Sequence, residues 1–141
     1  MNMTANDIGL PHGPEFRFVD RITEIEPGKG GKGVYLVRGD EPFLRGHFPG
    51  QPLMPGVILI EAVAQLAGCV GQAGRETPLK NLKLAAVRNA KISGTAAPGQ
   101  TIDLAVTIIS QMANVMQGSG TASVNGQVVL QADVILAGDA V

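Results

Sequence analysis

Apolar side chains follow two different rhythms along this chain. From Val57 to Val70 they run almost unbroken, interrupted only by Glu61 and Gln65. A stretch that is apolar on nearly every face reads as a helix enclosed by protein. Pro55 suits its first turn, because the N–H that proline lacks would be unpaired there anyway. Gly71 and Gly74 are natural stops, so the helix is predicted over about 55–71. Ala62, Ala64, Ala67 and Gly68 would let another backbone come close. On either side the rhythm changes to strand-like runs. Residues 21–26 alternate polar and apolar through Ile22 and Ile25, and 32–38 return through Val34, Leu36 and Val37. Pro27-Gly28-Lys29-Gly30-Gly31 forms the hairpin loop between them. After the helix, residues 82–92, 101–112, 115–124 and 127–137 are rich in β-branched or aliphatic residues. Asn125-Gly126 is a strong two-residue hairpin signal, with Pro98-Gly99 and Ala113-Asn114 as further turns. Residues 1–7 are expected to fray. Residues 8–20, broken by Gly9, Pro11, Gly13 and Pro14, read as a short helix or turn anchored by Phe16, Phe18 and Val19. Two strands, a buried helix and four strands predict an α+β fold. Its antiparallel sheet wraps around a long central helix, as one domain over residues 1–141.

Composition narrows the possible partners. Only 16% of the 141 residues are charged and 45% are apolar, which is consistent with surface hidden by oligomerisation. The net charge of −1, without a basic run or an aromatic ladder, gives nothing for nucleic acid or an anionic membrane to grip. The apolar run is short for a bilayer and is interrupted by polar residues. No signal peptide is expected at the polar N-terminus. Cys69 is the only cysteine, which excludes an intrachain disulfide and a cysteine-based zinc cluster and fits a reducing cytosol. It reads as small core filler. No cluster has metal-ligand spacing, so neither metal nor cofactor is expected. No serine stands in a nucleophile elbow.

Candidate chemistry gathers around the helix. His47 sits in a loop stiffened by Gly46, Pro49, Gly50, Pro52, Pro55 and Gly56. An imidazole titrates near neutral pH, and as a neutral base it could take a proton from the carbon beside a thioester carbonyl. Glu61 is the one ionisable side chain in the apolar helix, and a buried carboxyl group needs a partner, a proton or a role. The helix start at Gly56 and Val57 offers N–H groups without internal partners. Gln65, one turn beyond Glu61 on the same face, either orients the carboxyl group or pairs with backbone.

Gly46-His47-Phe48-Pro49-Gly50-x-Pro52-x-Met54-Pro55-Gly56-Val57, followed by Glu61-Ala62-x-Ala64-Gln65, resembles the active-site signature of the 3-hydroxyacyl-[acyl-carrier-protein] dehydratases of the FabZ type. The resemblance implies a hot-dog fold and a hydro-lyase of fatty-acid biosynthesis that acts on acyl carrier protein thioesters in the cytoplasm. It implies His47 and Glu61 as the catalytic pair, contributed by opposite subunits of a homodimer that often assembles as a trimer of dimers. Gly56 N–H would hold the thioester carbonyl, and Val57, Gln65 and Phe48 would line the substrate site. His12, in Leu10-Pro11-His12, matches a family histidine and is read as structural, packing the N-terminal segment. Asp20-Arg21 resembles a family pair read as a fold-stabilising ion pair.

The chain also departs from the pattern. Gly13 and Glu15 replace a basic residue and a proline usual in the family. Ile92-Ser93-Gly94-Thr95-Ala96-Ala97-Pro98-Gly99 keeps only the last two residues of a family strand motif that is normally basic. Arg88 and Lys91 are the nearby candidates to meet an acidic carrier. The rival readings are a FabA-type dehydratase/isomerase, which carries Asp where Glu61 stands, a hot-dog thioesterase, and a non-catalytic acyl-binding subunit.

Overall fold

The computed structural model describes residues 3–4, 10–46 and 50–140. Its strands are Met3–Thr4 (β1), Arg21–Glu26 (β2), Gly30–Leu36 (β3), Lys80–Ile92 (β4), Thr101–Met112 (β5), Val115–Val124 (β6) and Gln127–Asp139 (β7). The helix Gly56–Ala73 (α1) lies between β3 and β4 in the chain. The strands form one antiparallel sheet in the order β1-β2-β3-β5-β6-β7-β4, and it curls around α1. This is the expected α+β hot-dog arrangement.

The core follows from the two rhythms. β6 alternates strictly, turning Met116, Ala122 and Val124 inward, while β5 contributes Ile102, Leu104 and Val106. β7 adds Leu130, Ala132, Val134 and Leu136. The helix answers with Leu59, Val63, Leu66 and Val70, each fully enclosed. Removing these aliphatic side chains from water supplies about 1.5–3 kcal/mol apiece. By length and composition α1 would suit a bilayer, but it is instead the core helix, mostly buried inside the sheet.

Three differences from the sequence expectation have physical causes. Met3–Thr4 pairs with β2 instead of fraying, through Met3 opposite Ile22. Backbone pairing on a sheet edge needs no apolar signature, so the pattern carries no sign of it. The second strand starts and ends earlier than expected, because Gly30 and Gly31 already pair with Glu26 and Ile25. β4 begins at Lys80 and contains two left-handed asparagines, Asn81 and Asn89 at φ 54° and 53°. Their side chains donate to Asp139 and Asp133 across the ladder at 2.9 Å each. Register shifts in the β4–β7 pairing flank both positions, as bulges require. The Asn125-Gly126 hairpin forms as expected, with both residues at positive φ, 52° and 79°.

Candidate active site

Phe18 ties together the elements that build the site. It is 1% exposed, and Phe16, Tyr35 and Phe43 each meet its ring edge-on at centroid distances of 4.9, 5.7 and 5.8 Å. Those neighbours belong to the N-terminal segment, to β3 and to the loop that leads toward His47. Glu41 holds the same loop. Its carboxylate accepts from the Tyr35 hydroxyl at 2.7 Å and from the backbone N–H groups of Arg38 and Gly39 at 3.1 and 2.7 Å. Burial alone would raise the Glu41 carboxyl, but these donors hold it below its usual range. Burial, then the hydrogen bond and charge of Glu41, push the Tyr35 hydroxyl well above its ordinary value. Asp20 pairs with Arg38 at 2.8 Å, not with the adjacent Arg21. Asp20 precedes β2, and its carboxylate accepts from the Leu36 backbone N–H and from Arg38, each at 2.8 Å. His47 and Phe48, with Pro49, lie outside the described residues.

Glu61 is held on the helix by two donors. Gln65, one turn on, donates Nε2–H to Glu61 Oε2 at 3.0 Å. His12 Nε2 lies 3.2 Å from the same oxygen. Gln65 is 2% exposed, and its other bonds reach the N-terminal segment: Nε2 donates to Phe16 O and Oε1 accepts from Phe18 N, each at 2.8 Å. Gln65 therefore bonds both the carboxyl group and the backbone. One amide orients the carboxyl group and pairs with backbone, which a buried amide must do to offset its desolvation.

His12, assigned to packing on sequence grounds, does stack near Phe16, at 6.1 Å between ring centroids. The structure also places it directly against Glu61. Its match to a family histidine in the Leu-Pro-His triplet was the only sequence signal. Nothing in a gap of 49 residues reveals that the two side chains meet. The backbone here is fixed by Arg17, whose Nε donates to His12 O at 2.7 Å.

These groups line a cavity of about 250 Å³ that runs along one stripe of α1. Glu61, Gln65, Gly68, Cys69 and Gln72 form one wall, while Leu10, Leu82, Leu84 and Leu136, with Lys83 among them, line the rest. Gln72 closes its end of the stripe, clamped to Leu79 by a reciprocal pair of 2.9 Å bonds. Burial pushes the Cys69 thiol up to about 12, so it stays protonated and acts as filler.

The helix start is the remaining element. No side chain caps α1, and the Pro55 carbonyl takes its bonds from Ile58 and Leu59. At the positive end of the helix dipole, the N–H groups of Gly56 and Val57 have no hydrogen-bond partner among the described residues. Val57 is 69% exposed. The approach to this end is pinned by Met54 N donating to Ala96 O at 2.7 Å.

Comparison with known proteins supplies a family. The profile of the FabA-like domain matches residues 10–133. The chain is 36% identical over 137 residues to the 3-hydroxyacyl-[acyl-carrier-protein] dehydratase FabZ of Halalkalibacterium halodurans, covering 96% of this chain and 98% of that protein. It is 37% identical to the protein of the same name from Bacillus subtilis, covering 91% of each. Among solved structures, the dehydratase heterocomplex ApeI:P from Xenorhabdus doucetiae superposes with a TM-score of 0.78 at 17% identity, over 93% of this chain and 88% of that one. At that identity the likeness is one of fold.

Proposed function

The chain belongs to the family of FabA-like domains, and on that footing we propose that it is a 3-hydroxyacyl-[acyl-carrier-protein] dehydratase of fatty-acid biosynthesis. The reading is supported by near-full-length similarity to proteins of that name. The observation that carries it is the Glu61 carboxyl group, held by His12 and Gln65 on the wall of a cavity that leucines also line. A plain core helix has no use for such a group.

The reaction follows from proton handling. The His47 imidazole takes the C2 proton of a (3R)-hydroxyacyl thioester, and the C2–H electron pair moves toward the carbonyl. The Gly56 N–H, without a partner among the described residues, donates to the carbonyl oxygen as it gains charge. Glu61 gives its proton to the C3 hydroxyl. The C3–O bond breaks with its electron pair and water leaves. The product is a trans-2-enoyl thioester. Phe48, Val57 and Gln65 border the substrate.

His47 and Glu61 meet across a homodimer in this reading, with a trimer of dimers as the larger assembly, in the cytoplasm. Two features support a partner. β4 pairs with β7 on one side and has no neighbour on the other among the described residues. Apolar Val57, Val87 and Ile92 are 69%, 40% and 53% exposed in the isolated chain. Arg88 and Lys91, exposed on β4, are the basic side chains offered to an acidic carrier.

The test is a mass-spectrometric screen of 3-hydroxyacyl carrier proteins of graded chain length, read for loss of one water. Water loss and a trans-2 product are expected. A cis-3 product would instead indicate an isomerase, and no loss from any substrate would refute the assignment.

A further inference from the structure

Resting on that reading, we propose that His12 is a positioning residue for Glu61. It saturates one carboxyl oxygen, so that the proton given to the leaving hydroxyl sits on the other. The two oxygens of Glu61 are not equivalent. Oε2 receives both Gln65 Nε2, at 3.0 Å, and His12 Nε2, at 3.2 Å. Oε1 has no partner among the described residues.

The tautomer of His12 follows from its other nitrogen. Nδ1 is buried and has no hydrogen-bond partner among the described residues. One ring nitrogen of a neutral imidazole carries the proton and the other a lone pair. Buried orphan N–H groups are rarer than buried orphan acceptors. The lone pair therefore belongs on Nδ1 and the N–H on Nε2, where it donates to Glu61. With two N–H groups aimed at Oε2, the acidic hydrogen occupies Oε1, which is left for the substrate.

This arrangement acts in the transition state. As the Oε1–H proton passes to the C3 hydroxyl and the C3–O bond breaks, Glu61 becomes a carboxylate. Its new charge is shared with Oε2, where two donors are already in place. Hydrogen bonds to an ionised acceptor are roughly twice as strong as neutral ones. Donors that strengthen only as charge develops raise kcat and leave ground-state binding nearly untouched. The mounting is stiff. Arg17 holds the His12 carbonyl, Phe16 flanks the ring, and Gln65 grips the backbone of Phe16 and Phe18 while donating to Glu61. The N-terminal segment and the helix thus converge on one carboxyl oxygen.

Two substitutions separate positioning from packing. His12→Phe keeps a ring against Phe16 and removes the donor, while His12→Gln removes the ring and places an amide N–H at similar reach. Both are assayed in the full-length protein on the carrier-protein substrate that the wild type dehydrates fastest, alone and combined with Glu61→Gln. We expect kcat to fall about 10- to 100-fold in His12→Phe with KM nearly unchanged, and His12→Gln to recover most of it. In the Glu61→Gln background, His12→Phe should cost nothing further, because the two residues act as a unit. Equal impairment of folded His12→Phe and His12→Gln, wild-type kcat in His12→Phe, or losses that multiply with Glu61→Gln would each overturn the inference. A wild type that releases no water from any substrate overturns the dehydratase reading beneath it, and is seen before any variant is made.

Discussion

Ile92 Cδ1 fills the space that a β-carbon on Gly56 would need: the two would be 2.5 Å apart, with Cγ1 and Cγ2 of Ile92 at 3.2 and 3.3 Å. The last residue of β4 thus lies across the first residue of α1. It can do so only because that residue has no side chain. Gly56→Ala therefore forces Ile92 aside at the place where the helix offers its free N–H. Ile92 is 53% exposed and has room to move, so folding should survive with the melting temperature shifted by only a few degrees. Turnover should fall about 10- to 100-fold through misplacement of the amide. Gly56→Ala/Ile92→Ala should recover part of it, and steady-state kinetics of the two proteins make the comparison.

His47→Ala and Glu61→Gln remove the proposed base and acid. Each should lower kcat by about 10²-fold or more without loss of folding, judged by circular dichroism beside the water-loss assay. Wild-type-like rates in both variants would be incompatible with the mechanism.

Gln65→Leu should cost stability as well as activity. The amide is buried and bonds Phe16 O, Phe18 N and Glu61 Oε2. Leucine of similar volume leaves a buried N–H and a buried carbonyl unpaired. A loss of about 2–4 kcal/mol is expected, read as a lower urea midpoint at unchanged slope.

Glu41 makes part of the stability pH-dependent. Its carboxyl lies below the usual range when folded, despite the opposing effect of burial, because Tyr35, Arg38 and Gly39 donate to it. A group whose folded value is depressed stabilises the fold above its unfolded value of about 4.3, and that contribution is lost as pH falls through the folded value. Glu41→Gln should therefore lower the urea midpoint at pH 7. The gap from wild type should narrow toward pH 3. Activity should fall as well, since Glu41 tethers the segment leading to His47.

Several features expected from the residues alone survive in detail. The helix, predicted at 55–71, runs Gly56–Ala73, and the strands at 101–112 and 115–124 match. Strict alternation and an unbroken apolar run are local consequences of periodicity, and they need no knowledge of the rest of the chain. The break from the family pattern at 92–99 has a simple structural reading at one point. Ala96 meets Met54 through its carbonyl oxygen, a group every residue provides. A side-chain motif can therefore change there while the helix start remains supported.

Local residue patterns specify an inventory: a buried helix bearing one carboxyl group, a hairpin at Asn125-Gly126, and a glycine where the helix opens. Which groups meet is set by the folded arrangement. His12 touches Glu61 and Ile92 closes over Gly56, across separations that no local pattern spans. Periodicity assigns a side chain to a face, but the curl of the sheet around the helix decides which distant side chain faces it there. The hydrogen bonds on Glu61 come from that encounter, and its proposed chemistry rests on them.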